Sequence, residues 1–265
     1  MLETVDLGVK LNKEEYRTAQ QDLDLRLAES QRRLRAAGIP VLIVFEGWDA
    51  AGKGSTIGRL VQPLDPRGFK VHNMSPASEQ ENLFPPMWRF WNLTPARGLI
   101  AVYNHSWYRQ VWNDPIEADD EENIKAAYER IRIFERQLTD DGAVIIKFFL
   151  HISPETQKKR FKALQEDPAF AWKIGDAEKK RHKQYNKYLR LAEDLLRETS
   201  TPYAPWTIVA ATDERYRNLR VAETLAAAFD YALERGKTPP GPPPPTPPRR
   251  SSPLDHLDLT LAASR

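Results

Sequence analysis

The sequence predicts an α/β fold in which a mostly parallel five-stranded sheet is covered by helices on both faces. Five short apolar runs alternate along the chain with segments of helical periodicity, as in parallel sheets joined by crossover helices. A glycine-rich loop follows the first run and precedes a helix. In open sheets of this kind, ligands bind at the carboxyl ends of the strands.

The apolar runs are the predicted strands, and the periodic segments are the predicted helices. The predicted strands are residues 41–45, 69–74, 99–103, 144–149 and 207–211. The predicted helices are residues 13–37, 53–61, 82–91, 121–140, 154–164, 178–198 and 215–234. The first helix is amphipathic, and Gly38 and Pro40 end it.

The composition is that of a soluble globular protein, and the length suits one substantial domain or one domain with tails. The chain has 265 residues, of which 41% are hydrophobic and 29% charged. No apolar run approaches the roughly 20 residues of a membrane helix, and the first ten residues lack a signal-peptide pattern. The absence of cysteine excludes disulfides and fits a cytoplasmic protein. We expect no membrane or nucleic-acid partner.

The glycine-rich loop reads Gly47-Trp-Asp-Ala-Ala-Gly-Lys-Gly54 and has the G-x-x-x-x-G-K spacing of a phosphate-binding loop. Backbone N–H groups and a helix N-terminus bind phosphate in such loops, and the lysine reaches phosphate oxygens. The predicted phosphate-binding residues are Gly47, Ala50, Ala51, Gly52, Lys53, Gly54, Ser55 and Thr56. The fold is therefore predicted to be a three-layer, P-loop kinase-like sandwich.

Gly54 stands where the usual loop has the serine or threonine that ligates Mg²⁺. Asp49 offers a carboxylate inside the loop, and hard cations prefer oxygen ligands. We expect Asp49 to bind Mg²⁺ or to orient the acceptor, the alternative being a carboxylate that only caps a turn. Ser55 and Thr56 either donate to phosphate or face the first helical turn.

Basic residues outnumber acidic ones between Lys158 and Arg190. Taken alone, such a segment is more often a solvated helical surface than a binding site. The neighbouring phosphate loop favours contact with a polyanion.

Several motifs in addition to the loop make the chain resemble the polyphosphate kinase 2 family over about residues 2–235. The loop matches that family's G-x-D-x-x-G-K-G pattern, including Asp49 and Gly54. The other motifs, in order, are L-D-P-R-G at 64–68, P-P-M-W-R-F-W at 85–91, S-W-Y at 106–108, K-F-F-L-H-I-S at 147–153, Q-K-K-R-F at 157–161, D-P at 167–168, W-K at 172–173, T-S-T at 199–201 and A-P-W at 204–206.

The resemblance implies a phosphotransferase that moves a phosphoryl group between inorganic polyphosphate and a nucleotide with Mg²⁺. It implies AMP to ADP first, with ADP to ATP as the other option, and a homo-oligomer, either dimer or tetramer. Lys53 and the loop amides would bind phosphate, Asp49 would act through the metal, and Arg67 and Arg89 match basic positions near the transfer path. Residues 78–91 would form a helical lid. The alternatives are a surface salt bridge for Arg67 and aromatic stacking for Arg89.

Three further side chains are predicted to have structural roles. Trp107 and Tyr108 follow the third strand and are expected in the core rather than against substrate. His151 ends the fourth strand and is expected to be packed and hydrogen-bonded rather than catalytic.

The chain departs from the family at Asn104-His105, where active members usually carry Asp-Arg before S-W-Y. Asn104 still offers a neutral oxygen to a metal, so we predict Asp49 and Asn104 as Mg²⁺ ligands. Unlike arginine, histidine is not always charged at neutral pH. Arg109 is a candidate to compensate.

The tail suggests the start of a second domain. Residues 238–253 are a proline-rich linker after a domain at 1–237, and residues 254–265 follow it. Leu254-Asp-His-Leu-Asp-Leu-Thr-Leu261 echoes Leu2-Glu-Thr-Val-Asp-Leu-Gly-Val9, although chance similarity explains so short a match equally well. The chain is most similar to the tandem-domain members of the family, the polyphosphate:AMP phosphotransferases.

Three functional hypotheses result. The first is the polyphosphate:nucleotide phosphotransferase, based on the intact loop. The second is a catalytically degenerate domain that binds polyphosphate or nucleotide and supports a partner domain or oligomer, based on Asn104 and His105. The third is an ATP-dependent nucleotide kinase, which shares the loop but not the other motifs.

Overall fold

The computed structural model describes residues 1–112 and 121–235, and within them the strands form one sheet in the order β2-β3-β1-β4-β5. All pairs of neighbouring strands are parallel. The strands are β1 Val41–Gly47, β2 Phe69–Asn73, β3 Ile100–Asn104, β4 Val144–His151 and β5 Trp206–Ala210. The predicted five-stranded sheet is confirmed, with each strand end within two residues of its predicted position.

Helices cover the sheet in two groups. They are α1 Lys13–Ala37, α2 Lys53–Val61, α3 Trp88–Trp91, α4 Arg109–Trp112, α5 Glu121–Asp140, α6 Pro154–Glu166, α7 Asp176–Lys183, α8 Tyr185–Thr199 and α9 Glu214–Arg235. The helices α1, α2 and α9 pack together, and α4, α5 and α8 form the second group. The predicted arrangement of helix, sheet and helix layers is thereby confirmed.

The central position of β1 follows from its composition. Every residue of β1 and of its neighbour β4 is buried, as expected for apolar runs covered on both sides. Helix α1 begins where the Asn12 side chain accepts the Glu15 N–H over 2.8 Å, and it ends at Gly38 with φ 68°. The loop after β1 therefore lies at the middle of the sheet's carboxyl edge.

Two predicted helices differ in the structure. The segment 178–198 divides into α7 and α8 at Gln184, whose backbone is not helical at φ −106° and ψ 25°. Helix α7 has no buried residue, whereas α8 buries an apolar face. The segment 82–91 is reduced to a 3₁₀ turn at Glu81–Leu83 and to α3. Pro85 and Pro86 lie between these pieces, and proline lacks the N–H that a continuous helix needs.

The three predicted structural side chains are buried, as expected. Trp107 and Tyr108 are both fully buried, and both donate to Glu135, over 3.0 Å and 2.6 Å. Nδ1 of His151 accepts the indole N–H of Trp48 over 2.8 Å, and burial lowers the pKa of His151 to about 4. His151 is thus a neutral, packed side chain.

A buried ion pair lies in the core between β4 and α5. Nζ of Lys147 on β4 lies 2.8 Å from Oε2 of Glu135 on α5, and both side chains are inaccessible to solvent. Lys147 also donates to the Tyr108 hydroxyl and to the Thr199 carbonyl, each over 2.8 Å. The network links α5, β4 and α8, and the Lys147 ammonium has three acceptors.

The predicted linker 238–253 and tail 254–265 lie outside the described residues, so the predicted second-domain start stays a prediction. In the described part of the chain, no helix is long and apolar enough to cross a bilayer.

Candidate active site

The loop between β1 and α2 has a backbone that its sequence specifies. Gly47 has φ 120° and Gly52 φ 102°, a region that favours glycine. A Cβ on Gly47 would overlap the Leu150 carbonyl oxygen of β4, and a Cβ on Gly52 would overlap the Arg217 guanidinium. Ala50 is left-handed at φ 59° despite its side chain. The loop therefore packs closely against β4 and α9.

Lys53 is the first residue of α2, and its side chain lies over the loop. Its Nζ donates to the carbonyls of Gly47 and Trp48 over 2.8 Å and 2.9 Å. Burial lowers the pKa of Lys53, while Asp49 and Glu46 oppose that shift. A cation at the amino end of a helix creates a positive site that suits phosphate.

The Asp49 carboxylate is almost enclosed and is paired with a cation. Its Oδ2 accepts the Nε–H of Arg181 on α7 over 2.7 Å, and both side chains are about 15% exposed. Burial favours the neutral acid, but Lys53 and Arg181 more than offset it and lower the pKa of Asp49. Asp49 is therefore an ionised oxygen donor inside the loop.

The carboxyl ends of β1 and β3 meet at a buried carboxylate. Glu46 is fully buried, and its Oε2 lies 3.0 Å from Nδ1 of His105 while its Oε1 accepts the Ser106 hydroxyl over 2.9 Å. His105 has a left-handed backbone, at φ 59°. The position that departs from the family motif is thus occupied by a histidine turned onto Glu46.

Asn104 is the last residue of β3, and only one end of its side-chain amide is hydrogen-bonded within the described residues. Its Nδ2 donates to Oδ1 of Asn73 on β2 over 2.9 Å. Its own Oδ1 is buried and has no hydrogen-bond partner among the described residues. A buried acceptor without a donor is costly unless something fills its coordination, and a hydrated cation does so. The donor set of Asp49 and Asn104 therefore fits Mg²⁺.

The described residues contain no group of three or more histidine, cysteine, aspartate or glutamate side chains able to hold a metal ion. Mg²⁺ is usually held by one or two carboxylates together with substrate phosphates rather than by an all-protein cage.

The two predicted arginines, Arg67 and Arg89, each pair with a carboxylate of their own segment. Arg67 precedes β2, so parallel topology places it at the opposite, amino edge of the sheet, where its exposed side chain pairs with Asp65 over 2.8 Å. The structure does not bring Arg67 to the loop. Arg89 on α3 is mostly buried, lies 3.3 Å from Glu81 and sits over the Phe90 ring. It belongs to the segment that leaves the sheet on the loop side.

Residues of the first turn of α2 have partners within the protein. The Ser55 hydroxyl donates to the Gly52 carbonyl over 3.0 Å, and the Thr56 hydroxyl donates to Asn218 over 3.3 Å. A Cβ added to Gly54 would meet nothing within 4 Å, so the missing hydroxyl leaves open space.

Four side chains that contact the loop were not predicted individually from the sequence. They are Gln157, Arg160, Arg181 and Arg217. The first three fall in the motif 157–161 or in the basic segment, which marked the region but not the residues. Arg217 on α9 had no signal, since an arginine in an amphipathic helix is ordinary.

The fold and this site define a P-loop kinase-like α/β protein with a phosphate-binding loop at the centre of a parallel sheet. The family model described as polyphosphate kinase 2 (PPK2) matches residues 10–237. The chain belongs to the polyphosphate kinase 2 family.

Known proteins similar to this chain agree with that assignment. A polyphosphate:AMP phosphotransferase of Pseudomonas aeruginosa is 36% identical over 98% of this chain and 53% of its own length. An AMP/ADP-polyphosphate phosphotransferase of Meiothermus ruber is 34% identical over 78% of this chain and 79% of its own. The crystal structure of a putative polyphosphate kinase 2 from Pseudomonas aeruginosa superposes with a TM-score of 0.84 at 34% identity, covering 88% of this chain and 50% of that one.

The chain spans about half the length of the first curated relatives it matches.

Proposed function

We propose that this domain transfers a phosphoryl group between inorganic polyphosphate and a nucleotide, with AMP to ADP as the principal reaction and ADP to ATP as a second. The observation that carries the proposal is the joint placement of Lys53 and ionised Asp49 in an intact phosphate loop. The printed activities of the relatives from Pseudomonas aeruginosa and Meiothermus ruber support the same substrate class.

In this proposal the chain contributes positioning and charge, which are the main requirements of phosphoryl transfer. Lys53 and the amides of Ala50 and of residues 52–55 bind phosphate oxygens. The predicted Ala51 and Thr56 amides are left out, because their N–H groups already donate to the Trp48 and Gly52 carbonyls over 3.1 Å and 2.9 Å. Asp49 and Asn104 would hold Mg²⁺, which supplies neutralisation of phosphate charge when bound.

The polyphosphate chain is proposed to lie along the basic segment between Lys158 and Arg190. Arg181 of this segment contacts the loop, with its Nε 2.7 Å from Oδ2 of Asp49. Arginine suits this role because its fork can bind phosphate with two N–H groups at once. The segment 78–91 with Arg89 is proposed as a lid that excludes water from the nucleotide. Arg67 has no role in this proposal, since it lies at the other edge of the sheet.

The test is a transfer assay with purified protein, AMP, long-chain polyphosphate and Mg²⁺, followed by separation of ADP and ATP. We expect ADP that depends on polyphosphate and on Mg²⁺. ADP formed from ATP and AMP without polyphosphate would instead indicate the ATP-dependent nucleotide kinase.

A second candidate function is a non-catalytic domain that binds polyphosphate or nucleotide for a partner domain. The pairing of His105 with Glu46, in place of the family's arginine, favours this candidate. Tripolyphosphate binding by calorimetry without any transfer at high protein concentration would identify it.

We further propose a homo-oligomeric, cytoplasmic protein without nucleic-acid or membrane partners. Light scattering after size exclusion tests the oligomeric state, and a monomer at micromolar concentration would contradict it.

A further inference from the structure

The phosphate loop is held from its outer side by side chains of two helices. Three successive backbone carbonyls of the loop each accept a side-chain hydrogen bond. Asp49 O accepts from Gln157 Nε2 over 3.1 Å, Ala50 O from Arg160 Nη1 over 2.8 Å, and Ala51 O from Arg217 Nη1 over 3.3 Å. A peptide group is planar, with its N–H opposite its carbonyl, so a fixed carbonyl also fixes the direction of the following N–H.

Arg160 on α6 joins the loop to the end of β5. Its Nη2 donates to the carbonyls of Ala211 and Thr212 over 2.8 Å and 2.9 Å, while Nη1 donates to Ala50. Burial lowers the pKa of Arg160, an effect that the charge of Glu214 opposes. The planar fork of the guanidinium thus serves three carbonyls at once, which the single ammonium of lysine does not reproduce.

Ala50 shows why such support is needed. Its left-handed backbone, at φ 59°, is strained for a residue with a Cβ. Strained conformations persist only where the surroundings over-determine them. The bond from Arg160 to the Ala50 carbonyl fixes the peptide group that follows this residue.

Arg217 on α9 supports the other end of the loop. Its side chain is 3% exposed, donates to the Ser55 hydroxyl over 3.1 Å, and fills the space that a Cβ on Gly52 would need. Arg217 therefore fixes both the last loop peptide and the first turn of α2.

We propose that Arg160 and Arg217 are positioning residues of the phosphate site. They hold the two peptide groups between Ala50 and Gly52. The Ala51 N–H then stays bonded to the Trp48 carbonyl over 3.1 Å and closes the loop, while the Gly52 N–H and those of the α2 N-terminus present one anion-binding surface. Neither guanidinium contacts the transferred phosphoryl group. The inference rests on the proposed function only in taking a polyphosphate as the ligand.

The first experiment measures tripolyphosphate binding by calorimetry without Mg²⁺, so that turnover plays no part. Arg160→Gln and Arg160→Lys are both expected to bind about tenfold more weakly than the unchanged chain. A direct electrostatic role for Arg160 predicts that Arg160→Lys retains most of the affinity, and that result would overturn the proposal. Arg197→Gln on α8, whose partners are the exposed Asp194 and Glu198, is the control and should bind normally.

The second experiment combines these changes with Ala50→Gly, because glycine adopts the left-handed backbone without strain. If Arg160 acts by holding the loop, Arg160→Gln should cost about threefold or less in the Ala50→Gly background, instead of about tenfold. An equal loss in both backgrounds would show independent roles and contradict the proposal. Arg217→Lys, on a different helix, should reproduce the loss, and so covers the case in which Arg160→Gln does not fold.

The outcomes separate this inference from the proposed function. Normal tripolyphosphate binding without AMP phosphorylation contradicts the transfer reaction and leaves the positioning roles standing. Unchanged binding in the Arg160 and Arg217 variants contradicts only the positioning roles. A chain that binds no tripolyphosphate contradicts both.

Discussion

Nε of Arg181 donates to Oδ2 of Asp49 over 2.7 Å, so a helix contributed by the second half of the chain closes onto the phosphate loop. Arg181 is also paired with Glu178 on its own helix over 2.6 Å, which fixes its guanidinium. Only one carboxylate oxygen of Asp49 is used in this contact, and a carboxylate accepts several bonds. Asp49 can therefore hold Arg181 and a second positive partner together.

The charge of Asp49 is expected to be essential for transfer but not for phosphate binding. Asp49→Asn keeps the size of the side chain and removes the charge that would hold a metal. We expect the rate of ADP formation to fall at least about 100-fold, the scale of losing one electrostatic contact in the transition state. Tripolyphosphate affinity should change by less than about threefold. Turnover at the original rate would remove Asp49 from the mechanism.

Restoring the family motif at the end of β3 should raise activity. Asn104→Asp adds a charged oxygen beside the loop, and His105→Arg gives Glu46 a partner that is cationic at every working pH. We expect the double variant to transfer faster and to need less Mg²⁺ for half-maximal rate. His105→Arg alone tests the second effect separately. If both variants equal the unchanged chain, the site has adapted to Asn104 and His105.

His151 should make the protein less stable in mild acid. Its pKa is lowered by burial to about 4, so the unfolded chain takes up a proton at pH values where the folded chain does not. The free energy of unfolding should therefore fall as the pH drops from about 6.5 towards 4, by about 2 kcal/mol between pH 7 and pH 5 from this group.

The measurement for His151 is urea unfolding at pH 7 and pH 5. His151→Gln keeps an acceptor for the Trp48 indole N–H but does not titrate in this range. Its loss of stability between the two pH values should be smaller than that of the unchanged chain by the same amount. An identical pH dependence in both proteins would show that His151 does not control it.

The buried pair of Lys147 and Glu135 should be costly to break. Lys147→Met leaves the Glu135 carboxylate buried without its cation, and we expect about 3–5 kcal/mol of destabilisation in urea unfolding. Arg136→Gln removes an exposed pair with Asp140 on the same helix α5 and should cost less than about 1 kcal/mol. Removing both buried partners, as Lys147→Met with Glu135→Leu, should cost less than Lys147→Met alone. Equal costs for the buried and exposed pairs would contradict this account.

The sequence predicted the sheet well because its signals are local. The apolar runs before Gly47 and around Val144 bury both faces of a strand, and such runs are visible without any knowledge of the fold. The spacing of Gly47, Gly52 and Lys53 likewise indicated a phosphate loop from eight consecutive residues.

The surroundings of the loop were harder to predict because they are not local. Arg160 and Arg217 reach the loop from 110 and 166 residues away. The motif 157–161 marked the region of Arg160 but not its contact with the loop, and nothing in α9 distinguishes Arg217 from a surface arginine. Arg67 was wrongly predicted to lie near the loop because it is close to the loop in sequence. Helix α2, which lies between the two, takes the chain to the other edge of the sheet. The predicted helix 178–198 is also divided at Gln184, and its first part, α7, makes a distant contact through Arg181 with Asp49.

The long separations around the loop have a consequence for the order in which the protein matures. During synthesis the loop emerges early, but its outer carbonyls gain their last partner only when α9 has emerged and docked, 166 residues after Ala51. Contacts between distant segments form late because they must first overcome the entropy of closing a long chain. A nascent chain that has already paired β1 with β3 and β4 would thus still lack the hydrogen bond from α9 to the phosphate loop. Affinity for polyanions would therefore be acquired as the final step of folding.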